Sequence, residues 1–386
     1  MTNLSAREIL DILVAFPSVS RDSNLPLIEW VEEYLNGFGV NSHRVYNEEG
    51  DKAALFANVG PDAEGGTIFS GHTDVVPVDG QEWHTDPFVV TEKDGLLYGR
   101  GTCDMKGYLA CALAAVPYAL SLNLKRPMQL AFSYDEEVGC TGAPPMIDAM
   151  VKTLPRADVA VIGEPSMMKA VTSHKGGIGF MLNIKGFEIH SSLMHQGVNA
   201  IMEGARIIEW ANQQNTEIRA AKPTPLAQSF NPPFTTLHVG QISGGTAHNI
   251  TAKDCAFGVD FRFVPGENQD DWCDKLAAKV AEVEKGMQAV VPETSISMVR
   301  RFNVPALQPE KEGAAEGMVR GLTGDNGTHV VSYGTEAGQF QERGYSSVIC
   351  GPGDIAQAHQ PDEFLSVEQF KQGEKFVRQL VYLLAH

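Results

Sequence analysis

The chain has no stretch approaching the roughly 18 consecutive apolar residues of a membrane-spanning helix, so no span is expected. It has no C-x-x-C pair. Its six cysteines (Cys103, Cys111, Cys140, Cys255, Cys273, Cys350) are scattered, which argues against a disulfide framework or a cysteine zinc site. Reduced thiols in a cytoplasmic protein are the expectation. Basic residues are outnumbered 48 to 30, and a net charge of -18 argues against nucleic acid or an anionic membrane as partner. There is no G-x-S-x-G elbow, no G-x-x-x-x-G-K-[ST] phosphate loop and no strand-linked G-x-G-x-x-G near the start. The opening "MTNLSAREILDILVAF" lacks the basic segment and unbroken apolar core of an export signal. It reads instead as an amphipathic helix, with Ser5 and Glu8 in capping-box spacing.

What is present reads as two domains, the natural expectation for 386 residues. Helical patterns at 5–16 and 25–37 precede apolar runs at 67–72, 128–134 and 158–165, with a buried helix at 107–122 that Pro117 kinks or divides. Such alternation predicts an α/β fold with a mostly parallel sheet flanked by helices. From about residue 177 the order becomes βαββαβ, the split βαβ of a ferredoxin-like sandwich. The α/β pattern then resumes, ending in a helix at 366–384. A catalytic domain over 1–176 and 303–386, interrupted by an inserted domain over 177–302, accounts for that order.

Several metal-binding residue types follow strand-like runs. His72 closes "TIFSGH", the triplet Asp135, Glu136 and Glu137 follows "QLAFSY", Glu164 closes "VAVIG", and His359 comes after "SSVICGPG". Open α/β sheets bind ligands at the carboxyl ends of their strands, so residues distant in sequence can converge there. Asp104 lies in a glycine-rich loop leading into the buried helix. Two imidazoles with at least three carboxylates suit zinc, or cobalt and manganese in similar geometry. The acids suffice for two metals sharing one carboxylate. Asp74, two residues beyond His72, is placed to accept the imidazole's other N–H. In an extended chain Glu136 and Glu137 point to opposite sides, which lets one face the water and the other a metal; Asp135 is left as a structural member.

The segments "SGHTDVVPV", "LYGRGTCDMKG", "SYDEEVGCTGA", "VIGEP", "FEIHSSLMHQGVNA" and "GTEAGQF…GPGDIAQAHQPDEF" together resemble a dinuclear zinc metallopeptidase family. That family includes acetylornithine deacetylase, succinyl-diaminopimelate desuccinylase, aminoacylase and carboxypeptidase G, and the wording is most similar to the first. The resemblance implies two Zn2+, with Co2+ as a possible substitute. Asp104 would bridge them, His72 and Glu164 would complete one, and Glu137 with His359 the other. It makes Glu136 the general base towards a metal-bound hydroxide, with Asp74 supporting His72. The family often has a non-proline cis peptide after the bridging aspartate, where Met105 follows here, and the isomer is left open by the sequence. It also implies that His190 stabilises the oxyanion, and that Asn249 and Arg262 grip a substrate carboxylate. The implied reaction is deacylation of a small N-acyl amino acid, N-acetylornithine above all, by a cytoplasmic homodimer paired through the inserted domain. Desuccinylase, aminoacylase and dipeptidase activities are the alternatives within the family, and a catalytically silent binding protein is the alternative outside it. The remaining histidines and the Cys103 thiol carry no assigned role.

Overall fold

The computed structural model describes residues 3–386, which fall into two compact units. One comprises the chain up to Ser173, Leu307–Val330 and Thr335–His386; the other comprises His174–Ala306 and Val331–Gly334. The sequence placed the breaks at 176/177 and 302/303. Residues 331–334 associate with the second unit through their own hydrogen bonds. The Val331 carbonyl accepts from the Lys175 N–H (3.2 Å), and Ser332 Oγ donates to the Asn231 carbonyl (2.7 Å).

The first unit is built on an eight-stranded sheet in the order Ser42–Tyr46, Ala53–Val59, Met128–Ser133, Gly66–His72, Ala157–Pro165, Ser346–Gly351, Val171–His174, His329–Val331. The four strands from Met128–Ser133 to Ser346–Gly351 run parallel. Every residue of Gly66–His72 and Met128–Ser133 is buried, as strands covered by helices on both faces must be. Helix Gly107–Ala114 packs against Ala6–Val14 and Val367–Leu383. Pro117 divides the expected long helix, opening a second one over Val116–Ser121. Ser5 and Glu8 form the capping box. Several strands went unread in the sequence, among them the short Val171–His174 and two at the other edge: Ser42–Tyr46 is a half-buried, polar edge strand, and the apolar Ala53–Val59 carries no periodicity that separates strand from helix. These last two follow one another along the chain. Both run antiparallel. Among the described residues no helix is long and apolar enough to cross a membrane.

Gly163 shows how tightly the central strands meet that helix. A Cβ at Gly163 would lie 2.0 Å from the ring of Tyr108, which is itself buried. Gly163→Ala is expected to destabilise the protein by about 1–3 kcal/mol through overpacking, read as a lowered denaturant midpoint with an unchanged slope.

In the second unit the strands lie in the order Thr236–His238, Asp254–Phe263, Gly176–Lys185, Ser295–Val304, all antiparallel. With helices Ala200–Ala220 and Gln269–Gln288 this is the ferredoxin-like βαββαβ order. Strict alternation along Asp254–Phe263 sends Cys255, Phe257, Val259, Phe261 and Phe263 into one core. The expected single strand over 235–243 is broken into Thr236–His238 and Ile242–Gly244.

Candidate metal centre

Parallel register brings the candidate ligands to one edge of the large sheet. His72 is the last residue of its strand and lies opposite Ser133, where the neighbouring strand ends and the acidic turn begins. Glu164 lies near the end of the next strand. His359 follows the fourth, in a loop where its own φ is +64°. Asp104 sits in the tight turn Thr102–Lys106 that feeds helix Gly107–Ala114, and the Asp104–Met105 peptide is cis.

Asp104 is the centre of the cluster. Its Oδ1 lies 3.1 Å from His72 Nε2 and its Oδ2 lies 3.4 Å from His359 Nε2. Beyond each imidazole stands a further carboxylate. Glu164 Oε1 is 3.7 Å from His72 Nε2, and Glu137 Oε2 is 2.9 Å from His359 Nε2. The result is two imidazole–carboxylate pairs sharing one aspartate. Ligand atoms of His72, Asp104 and Glu137 lie within 4.8 Å of one another, as do those of His72, Glu136 and Glu164. His72, Asp104 and Glu164 are buried, whereas the His359 side chain is 52% exposed, so the second pair faces outward.

The electrostatics of this cluster call for a cation. Burial pushes Glu136 up to about 8, with the charges of Glu137, Asp104 and Glu336 adding to it and His72 opposing. Burial and then Asp104 push Glu137 up to about 7. Glu164 is also raised, by burial first and then by Asp104 and Glu136. Burial opposes ionisation of Asp104 too, but hydrogen bonds to His359 and His72 hold it well below the usual carboxylate range. Hydrogen bonds to Asp104 and Glu137 raise His359 to about 10. Among the described residues no lysine or arginine pairs with Asp104, Glu137 or Glu164. Divalent ions would supply the missing positive charge, and carboxylate oxygens with imidazole nitrogens are the donors that zinc accepts. The residues fit the metals that the resemblance implies.

The supporting contacts differ in part from expectation. His72 Nδ1 lies 2.9 Å from the backbone carbonyl of Asp74 and 3.5 Å from its carboxylate, so the carbonyl is the closer partner. A carbonyl only accepts, so it fixes a hydrogen on Nδ1 and aims Nε2 at Asp104 and Glu164, where it can hold a proton in the bare cluster or a cation in the loaded one. The Asp74 carboxylate instead accepts from Ser20 Oγ (2.7 Å) and faces the N–H groups of Glu136 (3.2 Å) and Glu137 (3.4 Å). It thereby orients the acidic segment as well as the histidine. That segment is a turn, not an extended strand: the N–H groups of Gly139 and Cys140 both donate to the Glu136 carbonyl, and Asp135 has φ +55°. Asp135 pairs with Lys52 at 2.6 Å and makes no contact with the imidazoles.

Two buried acids had no assigned role in the sequence. Glu336 accepts from Ser70 Oγ (3.1 Å) and from Ser133 Oγ, beneath the strands that carry His72 and the acidic turn. Glu363 accepts from the backbone N–H groups of Gly101, Cys103 and Asp104. Both lie inside segments quoted for the resemblance. The available signal was an acid embedded among apolar and glycine neighbours.

His190, Asn249 and Arg262 belong to the second unit. The backbones of His190 and Ile250 pair, and the Ser191 N–H donates to the Asn249 carbonyl (2.8 Å), which puts His190 and Asn249 side by side and exposed. His190 Nδ1 lies 2.8 Å from Ser192 Oγ. Arg262 stands near the far end of strand Asp254–Phe263, with Nε 3.3 Å from Asp260. The structure brings the first two together and leaves Arg262 apart from them.

An open α/β sheet whose carboxyl edge gathers imidazoles and carboxylates around one buried aspartate is the framework of a metal-dependent hydrolase of amide bonds. The chain belongs to peptidase family M20/M25/M40, whose model matches residues 68–383. It is 35% identical over 382 residues to an acetylornithine deacetylase of Myxococcus xanthus, covering 97% of this chain and 96% of that protein. It is 34% identical over 368 residues to the acetylornithine deacetylase of Pasteurella multocida, covering 94% and 93%. An M20 family metallo-carboxypeptidase from Sulfolobus solfataricus shares the fold with a TM-score of 0.76 at 18% identity, covering 98% of this chain and 99% of that one.

Proposed function

We propose that this protein is a cytoplasmic deacylase of N-acyl amino acids that converts N-acetylornithine to ornithine and acetate, a step of arginine biosynthesis. The observation that carries the reading is the shared aspartate: Asp104 between His72 with Glu164 and His359 with Glu137. These five residues would hold two zinc ions, for which cobalt can substitute. When bound, the ions supply Lewis acidity to the substrate carbonyl and lower the pKa of the attacking water.

The protein's own groups do the rest. Glu136 takes the water's proton and returns it to the leaving amine. Asp74 holds both the His72 ring and the turn bearing Glu136 and Glu137. His190 donates to the developing oxyanion. Arg262 presents its planar fork to the substrate carboxylate, with Asn249 as a further contact.

The position of these last three supports a homodimer. Asp254 and Arg262 are eight residues apart on one strand, roughly 26 Å at about 3.3 Å per residue, and His190 with Asn249 pair off beyond the Asp254 end. One inserted unit cannot bring both groups to a single small substrate. His190 and Asn249 would therefore come from a second copy, with the inserted domain serving as both lid and dimer contact.

A panel of acyl-amino acids assayed on zinc-repleted enzyme tests the substrate assignment. N-acetylornithine is expected to give the highest kcat/KM. A preference of orders of magnitude for succinyl-diaminopimelate, for uncharged acetyl-amino acids or for dipeptides would replace it with the corresponding activity.

A further inference from the structure

Three loops around the outward side of the metal centre are stitched together by polar groups that the proposed chemistry does not use: Glu363 and Arg100, which are buried, and Gln81, which is half-buried. Glu363 and Arg100 are each 1% exposed and pair at 2.7 Å. Both oxygens of Glu363 are doubly engaged. Oε1 accepts from the N–H groups of Cys103 (2.9 Å) and Asp104 (3.0 Å), and Oε2 from the Gly101 N–H (3.0 Å) and Arg100 Nη1. The Glu363 carbonyl accepts from the Gly99 N–H (2.9 Å), beside the strand pair Leu96–Tyr98 and Phe364–Ser366. Arg100 reaches onward: Nη2 donates to Gln81 Oε1 (2.6 Å), which also accepts from Trp83 Nε1 (3.1 Å). Gln81 Nε2 then donates to the backbone carbonyl of His359 (2.9 Å).

A continuous chain thus runs from the backbone of Asp104 through Glu363, Arg100 and Gln81 to the backbone of His359. Its two ends are the residues that face each other at 3.4 Å across the outward metal position. We propose that Glu363, Arg100 and Gln81 form a positioning chain fixing His359 relative to Asp104, so that Gln81 decides whether the metal position between His359 and Glu137 is retained. The inference rests on the two-metal reading above.

The two metal positions differ in what holds their histidines. His72 ends a fully buried strand and is laddered to Ser133, so the sheet itself fixes it. His359 has a half-exposed side chain and lies in an irregular loop, with φ +64° in the left-handed region that residues with a Cβ seldom occupy. Such a backbone persists only where its surroundings over-determine it. The Gln81 amide supplies the contact made to His359 itself, while Arg100 Nη1 donates to the Gln360 carbonyl (3.3 Å) and the His84 N–H to Asp362 (2.8 Å) further along the loop. The orientation of the amide is set by its partners, with the oxygen facing two donors and the nitrogen a carbonyl. Loss of this contact is therefore expected to weaken one metal position and spare the other.

Variants of Gln81 test this. Substitution of Glu363 or Arg100 would leave a buried unpaired charge and threaten the fold. Gln81→Glu keeps the acceptor for Arg100 and Trp83 but sets an oxygen against the His359 carbonyl. Gln81→Met keeps the length and removes all three of these hydrogen bonds. Full-length chelator-stripped protein is titrated with Zn2+ against a competing fluorescent chelator, and kcat and KM are read at each free Zn2+ level. The wild type is expected to take up two ions. Both variants are expected to bind the first as the wild type does and the second about 10- to 100-fold more weakly, the range for loss of a group supporting a ligand. Their kcat falls at low free Zn2+ and recovers at high Zn2+, with KM for N-acetylornithine unchanged. Wild-type affinity for both ions in the variants overturns the inference while leaving the two-metal reading intact, and so does equal weakening of both. A wild type that binds fewer than two ions overturns both.

Discussion

Glu136→Gln lowers kcat by about 10²- to 10⁴-fold while the protein keeps its metal, the range expected for loss of a positioned general acid–base. Glu136 lies in the same turn as Glu137, yet it is Glu137, not Glu136, that contacts an imidazole at ion-pair distance. Its Oε1 meets the Cys140 thiol at 3.2 Å, and its backbone N–H faces Asp74. Burial and the neighbouring carboxylates push it up to about 8, against the pull of His72. That upward shift belongs to the bare cluster; divalent ions beside it would favour the carboxylate, the form that accepts the water's proton and passes it to the amine. Glutamine has the same shape and can accept from the same thiol, but it cannot take up the proton. Turnover and kcat/KM should fall together, because the lost interaction belongs to the transition state. Metal content decides the rival assignment, since Glu136 also lies within reach of His72 and Glu164. Loss of an ion on substitution would make Glu136 a ligand, and near-normal turnover would remove it from the chemistry.

How far the sequence revealed this site depended on where each partner lay. His72 and Glu164 were legible because each ends an apolar run, and four such runs lie parallel in the sheet. The inserted βαββαβ order was legible from strict alternation, as along Asp254–Phe263. Long-range pairing was not. Glu336 meets Ser133 across 203 residues and Glu363 meets Arg100 across 263, and no local pattern announces either contact. The separation of Glu136 from Glu137 was expected from an extended chain, but a turn produces it, with Asp135 in the left-handed region and tied to Lys52. Lys52 is available because the unread strand Ala53–Val59 runs antiparallel and so begins at the edge where the parallel strands end. Asp74 was read as the partner of the His72 ring; its carbonyl takes that contact, and its carboxylate faces the acidic turn instead.

Stripping the metal makes the protein progressively less stable as pH rises from about 5 to about 9, and zinc abolishes most of that fall. The ordinary value of a glutamate here is 4.5, and burial raises Glu136 to about 8 and Glu137 to about 7. His359 is raised from 6.5 to about 10 by its hydrogen bonds to Asp104 and Glu137. All three shifts are upward, so across this window the folded metal-free chain binds more protons than the unfolded one. Their contribution is fully present below the unfolded values and is lost as pH climbs through the folded ones. Each extra bound proton costs about 1.4 kcal/mol of stability per pH unit, with the buried Glu136 and Glu137 carrying most of the effect and the half-exposed His359 less, because solvent screens it. Asp104 and Asp74 are shifted downward, and their contribution is lost only as pH falls below about 4, outside the window. Divalent ions invert the balance, because charges that repel one another in the bare cluster become ligands and stay ionised throughout. Thermal unfolding at pH 5.5, 7.0 and 8.5, with and without bound zinc, should therefore show a difference in Tm that widens steadily with pH. A constant difference would mean that these acids do not gain their cation at this site, and the two-metal assignment would fall with it.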